Sequence, residues 1–141
     1  MLGYKAFNHN LTCRGFQYEV GQTYTIDSQE IQLCSKGFHF CQVPIDVLNY
    51  YYSPDDKYAV VKAEGKMIHR DDKSVTNQLT IVRLITREEL ITATTGLFVT
   101  NDGTKQWYEN GKLHRLDGPA IEWSNGGKKW YDNGQFLKLS C

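Results

Sequence analysis

The sequence has no net charge: sixteen Lys and Arg residues offset sixteen Asp and Glu across 141 residues. A chain with no long-range positive field cannot gather phosphate backbones or anionic membranes from a distance, so generic nucleic-acid binding is not expected. It also has no apolar run near the roughly 18 residues of a spanning helix. The opening "MLGYKAFNHN" lacks the basic and apolar regions of a signal peptide, so no membrane association and a cytoplasmic location are expected. Cysteine is scarce. Cys13, Cys34, Cys41 and Cys141 are few for a secreted disulfide scaffold and are expected to be thiols. A Cys-x-x-Cys knuckle is missing. Cys13, Cys34, His39 and Cys41 therefore have the inventory of a zinc site without its spacing, and they read as core residues with no metal. Cys41 and His39 stand at i and i+2 on one strand face, but no carboxylate is identifiable to orient the imidazole. No catalytic residue and no cofactor are assigned.

What is present falls into two unlike halves, residues 1–97 and 98–141. The second half repeats itself. "DGTKQWYENGK" returns as "NGGKKWYDNGQ", with Trp107 matching Trp130 and Tyr108 matching Tyr131, 23 positions apart. Asn110-Gly111 and Asn133-Gly134 suit type I′ turns, so an antiparallel meander is expected over 104–108, 111–115, 119–124, 128–132 and 135–139. With under two repeats, this sheet is expected to lean on the first half or on another subunit.

In the first half, "GYKAFN", "KYAVVKAEG" and "QLTIVRLI" read as strands. "VPIDVLNYYY" reads as a helix, with Pro44 in the first turn and Asp46 at the positive end. Thr86 and Glu89 form a capping box that opens a second short helix. The expected fold class is α+β: a mostly antiparallel sheet with one or two short helices, plus a C-terminal hairpin meander.

The tail "WYENGKLHRLDGPAIEW" resembles the W-Y-x-N-G-K-x-H-R-x-D-G-P-A repeats related to MORN-type hairpin arrays. Within it, Asp117 reads as a turn cap and His114 and Arg115 as sheet decoration. Residues 3–90 resemble a domain of unknown function common in bacteriophage and prophage proteins. The shared pattern is C-R-G-F-Q-Y at 13–18, G-F-H-x-C at 37–41, P-x-D-V-L-x-Y-Y at 44–51 and D-x-S at 72–74. That resemblance implies an origin and no activity. The order of elements is also similar to ADP-ribosyltransferase-like folds. The departures are that Lys5 replaces their first-strand arginine or histidine, the serine-threonine-serine motif is absent, and Glu64, Glu88 and Glu89 lack the context of a catalytic glutamate.

Aromatic residues cluster beside cations. Tyr50, Tyr51 and Tyr52, with Phe38 and Phe40, offer rings on which a base can stack, while Lys5, Arg14 and His39 can meet phosphates. The expected ligand site is Lys5, Arg14, Phe38, His39, Phe40, Tyr50 and Tyr51, and the expected ligand is a small nucleotide. The favoured role is a phage accessory protein in an infected bacterial host, acting as a sponge that sequesters a nucleotide immune messenger. The alternatives are an enzyme acting on NAD or a nucleotide, and an interaction module using Trp107, Tyr108, Trp123, Trp130 and Tyr131. A homo-oligomer fits the sponge and the interaction module alike.

Overall fold

The computed structural model describes residues 1–33, 35–100 and 102–140. Cys34 and Cys141, whose roles the sequence raises, lie outside the described residues. The chain forms two compact units, Met1–Leu90 and Ile91–Cys141.

The first unit contains β1 (Leu2–Phe7), β2 (Thr12–Cys13), β3 (Phe16–Gln17), β4 (Thr23–Thr25), β5 (Phe38–Phe40), a 3-10 helix (Pro44–Asn49), β6 (Lys57–Arg70) and β7 (Lys73–Ile85). The helix α1 (Arg87–Ala93) then carries the chain into the second unit. β6 and β7 form one long hairpin, as their Val, Ile and Thr content favours. β1 adds to β6, and the outer edge of β7 is divided between β4, paired with 78–80, and β5, paired with 74–76. Every pairing is antiparallel. Directly after β5, Cys41 and Tyr4 exchange two backbone hydrogen bonds of 2.8 Å each. The far side of the sheet is thereby tied back to its first strand, and the sheet curls around Phe7, Ala59, Val61, Leu79 and Ile81, each at most 1% exposed.

The α+β expectation is wrong. The chain is mostly antiparallel sheet, with two short helical segments and thirteen strands among the described residues. The reason lies in the segment read as a helix. Only Pro44–Asn49 winds, as a 3-10 helix, and Tyr50 and Tyr51 close it by donating to the Val47 carbonyl at 3.1 and 3.0 Å. Beyond that point Tyr51 turns its hydroxyl to the Cys13 thiol at 3.1 Å, so tertiary packing takes the tyrosines that would have continued a helix. At α1 the capping box is present. The Thr86 hydroxyl accepts from the Glu89 N–H at 3.0 Å, and the Glu89 carboxylate accepts from the Thr86 N–H at 3.1 Å.

In the second unit, β8 (Gly96–Val99), β9 (Lys105–Glu109), β10 (Lys112–Leu113), β11 (Ile121–Glu122), β12 (Lys128–Asp132) and β13 (Gln135–Ser140) form one antiparallel sheet. Asn110-Gly111 and Asn133-Gly134 both hold positive φ, 49° and 80° in the first turn and 49° and 84° in the second, as type I′ turns require. β10 and β11 are one strand position interrupted by the excursion 114–120. Arg115 closes that excursion: its guanidinium stacks 3.9 Å over the Trp107 ring, bonds Asp117 at 3.1 Å and donates to the Pro119 carbonyl at 3.2 Å. β8 pairs with β9 along 105–108.

Gly3 sits where the curl is tightest. A Cβ there would lie 2.5 Å from a Phe40 ring carbon and 3.1 Å from the Cys41 carbonyl oxygen. Gly3→Ala should therefore cost about 1–3 kcal/mol by overpacking, read as a lower urea midpoint with an unchanged slope. An unaltered midpoint would show that β1 does not press on Phe40.

Candidate ligand-binding site

A cavity of about 300 Å³ opens in the first unit. That is near the lower end of the range that holds small molecules. β1 contributes Tyr4, Lys5 and Ala6, and the β2–β3 turn brings Cys13 and Arg14. His39, Phe40 and Cys41 come from β5 and the residue after it, and Val47, Tyr50 and Tyr51 from the 3-10 helix and its exit. Lys73, at the start of β7, completes the wall. Of the seven expected ligand residues, Lys5, Arg14, His39, Phe40, Tyr50 and Tyr51 meet here. Phe38 does not. It is 4% exposed and packs edge-on to Phe16 and Tyr18, with ring centroids 5.8 and 6.3 Å away.

The wall carries three cationic side chains, Lys5, Arg14 and Lys73, and no carboxylate. Lys5 is 4% exposed. Its ammonium donates to the His39 backbone carbonyl at 2.6 Å and lies 5.2 Å from the Tyr18 ring centroid. Burial pushes its pKa below the ordinary lysine value. Arg14 occupies a backbone conformation that few arginines adopt. The two-residue turn between β2 and β3 holds Arg14 at φ 53° and Gly15 at φ 80°, the pattern that Asn-Gly satisfies elsewhere in this chain. Lys73 places its ammonium 5.4 Å from the Tyr50 ring centroid. Asp72 holds that corner by accepting from the Tyr50 hydroxyl and, at 2.8 Å, from the Asn49 amide.

The nucleophile and base candidates are quiet. Burial, with Asp46 and Asp72 adding to it, pushes the Cys41 thiol well above its ordinary value, so it stays protonated. Burial and the neighbouring Lys5 and Arg14 charges push His39 down to about 4, so its ring is neutral near pH 7. Asp46, beneath the wall, is raised to about 7 by burial and by Asp72. Glu64 stands on β6 near Lys62, and Glu88 and Glu89 stand on α1; none of them borders the cavity. Cys13, His39 and Cys41 all border it. Among the described residues no three His, Cys, Asp or Glu side chains form a group able to hold a metal ion, and no helix is long and apolar enough to cross a membrane.

Sequence reasoning missed Tyr4 and Lys73. Tyr4 is half-buried in β1 and reaches the wall through its pairing with Cys41. Lys73 lies inside the D-x-S motif, and the pairing of Phe40 with Ser74 is what brings it to the cavity. Tyr52 points away, 73% exposed. In the second unit, the five aromatic residues expected to form a contact surface are all half-buried and do not share one face. Successive strand residues alternate, which separates Trp107 from Tyr108 and Trp130 from Tyr131. Lys138 lies 4.5 Å over the Trp130 ring, Lys129 lies 5.7 Å from Trp123, and Tyr131 packs on Phe136. His114 accepts from the Asn133 N–H at 2.8 Å and faces Glu109 at 3.2 Å.

Residues 1–93 match the domain of unknown function DUF7666, and the chain belongs to that family. No curated protein and no solved structure matches it.

The low His39 pKa has a signed consequence. The unfolded chain takes up a proton near pH 6.5 while the folded chain resists until about 4, so this residue lowers stability as pH falls through that window. The His39 ring resonances should therefore keep their neutral positions from about pH 7 to pH 5, and His39→Gln should shrink the acid loss of stability. Titration of the ring near its ordinary value would contradict a half-buried, cation-facing imidazole.

Proposed function

We propose that this DUF7666 chain takes a small anionic nucleotide into the cavity of its first unit and holds it without turnover. One observation carries the reading. In a chain of zero net charge, Lys5, Arg14 and Lys73 converge on one wall that no carboxylate borders, beside the rings of Phe40, Tyr50 and Tyr51. Separating charge in this way favours an anion that also presents a flat ring. The neutral imidazole and the protonated Cys41 thiol support retention over reaction, since Cys41 offers no thiolate.

The strained Arg14 turn adds to the argument. A type I′ turn is served best by Asn or Gly, and an arginine held at φ 53° is a cost that anion binding would explain. The resemblance of 3–90 to phage and prophage proteins supplies the proposed setting, the cytoplasm of an infected bacterium. There the protein would act as a sponge for a nucleotide messenger of host immunity. The MORN-like tail supplies a proposed second role, self-association. β13 is an edge strand with Phe136, Leu137 and Leu139 each more than half exposed, a pattern that invites strand pairing with another copy.

The direct test incubates the protein with a panel of cyclic oligonucleotides, NAD and cyclic ADP-ribose isomers, then washes it, denatures it and identifies what is released by mass spectrometry. One nucleotide recovered unmodified is expected. A changed nucleotide would make the protein an enzyme, and no retention of any would remove the reading. Arg14→Asn should weaken retention at least about tenfold while leaving the fold as stable or more so, because asparagine suits the turn. For the tail, Leu137→Lys should shift sedimentation toward the monomer; a wild-type chain that is already monomeric would dismiss the edge contact.

A further inference from the structure

We propose that Lys5 is an imine-forming amine, and that the cavity takes an anionic, ring-bearing ligand carrying an aldehyde or ketone. This rests on the reading of the cavity as an anion site and goes beyond it by giving Lys5, as its uncharged amine, a chemical role while Arg14 and Lys73 meet the anion.

The three cations are placed differently. Arg14 lies on an exposed turn, and Lys73 begins a strand with its ammonium against the Tyr50 ring. Lys5 alone is nearly closed off from water, on the inward side of β1 between Gly3 and Phe7. An amine so placed is poorly suited to remain an ammonium ion. It has a backbone carbonyl for one N–H, that of His39 at 2.6 Å, and the Phe7 and Tyr18 rings at 5.8 and 5.2 Å. Burial above all, and to a smaller degree the Arg14 charge, favour the neutral form, against the neighbouring Cys13 and Cys41, which favour the ammonium; burial beside another cation is what turns a lysine into a nucleophile. A neutral amine that donates one hydrogen to the His39 carbonyl and the other to the Cys13 sulfur still has a lone pair for the cavity.

The chemistry needs no oxidant or second reactant. The Nζ lone pair adds to the carbonyl carbon, the nitrogen loses a proton, and the carbonyl oxygen gains one to give a carbinolamine. That oxygen then leaves as water, taking a second proton, and the carbon–nitrogen double bond forms with loss of the remaining nitrogen proton. The balance is one amine and one carbonyl giving one imine and one water. The Tyr51 hydroxyl and the Cys13 thiol, 3.1 Å apart, are two protic groups on the wall able to pass protons to the departing oxygen. Arg14 and Lys73 remain for the ligand's negative charge. A reversible imine also suits retention, because hydrolysis returns the carbonyl compound unchanged.

Pyridoxal 5′-phosphate joins a ring, a phosphate and an aldehyde and serves as the probe. The full chain would be equilibrated with it and reduced with borohydride, and its peptides mapped by mass spectrometry. Pyridoxine 5′-phosphate, with an alcohol in place of the aldehyde, would be titrated separately by calorimetry. A reduced adduct at Lys5, favoured at least about tenfold over any other lysine and suppressed by excess pyridoxine 5′-phosphate, is the expected result. Binding of the alcohol with no adduct at Lys5 would overturn the amine role and leave the anion cavity standing. Failure of the alcohol to bind, with adducts scattered over exposed lysines, would overturn both. Lys5→Met should lose the adduct. If that variant does not fold, the peptide map of the unaltered chain still decides.

Discussion

Two backbone hydrogen bonds between Tyr4 and Cys41 set the geometry on which the first unit's cavity depends. A five-stranded sheet in which β4 and β5 share one edge would otherwise leave β1 and β5 at opposite margins. Joining them folds the margins together, so that residues from the start of the chain, from β5 and from the start of β7 face a common space. Gly3 permits the closure because a larger residue would strike the Phe40 ring. The 3-10 helix then lays Val47, Tyr50 and Tyr51 across the remaining opening.

That closure forces an electrostatic problem onto Lys5. β1 alternates its side chains, and the face that carries the fully buried Phe7 must carry the lysine two residues earlier as well. Removing an ammonium from water costs several kcal/mol unless it is paired, and one carbonyl and two ring faces are a partial remedy. A leucine or methionine here would pack at less cost. The neutral His39 and the protonated Cys41 follow from the same exclusion of water, each group shifting toward its uncharged form. The cavity is thus a place where ionisable groups are held out of water at a cost to the fold.

The second unit is organised by different means. Its sheet rests on short hairpins with Asn-Gly turns, and its tryptophans are covered by cations. Arg115 lies over Trp107 and Lys138 over Trp130, in place of a second layer of structure. The excursion 114–120 is held by the Arg115 guanidinium, which spans the turn from Asp117 to the Pro119 carbonyl. The second copy of the repeat runs without that excursion into the continuous β13, where Phe136, Leu137 and Leu139 are each more than half exposed.

Local chemistry was legible in the sequence by itself. The Asn110-Gly111 and Asn133-Gly134 turns, the Thr86–Glu89 capping box, the β-rich runs of β6 and β7 and the repeat all depend on residues within a few positions of each other. Such preferences are strong when the pattern is unbroken. Six of the seven expected site residues, picked by chemical type as cations and rings, border the cavity. Tertiary structure alone decided the rest. It shortened the segment read as a helix, because the tyrosines gain more from the Cys13 side of the core than from another turn. It drew Phe38 into the aromatic cluster while His39, on the opposite face of the strand, borders the cavity, since a strand sends successive residues to opposite faces. It also brought in Lys73, which lies 32 positions beyond Cys41 and becomes its neighbour on the wall only because β5 pairs with β7. Pairings between distant strands leave no local signature, so they had to be seen in the folded chain.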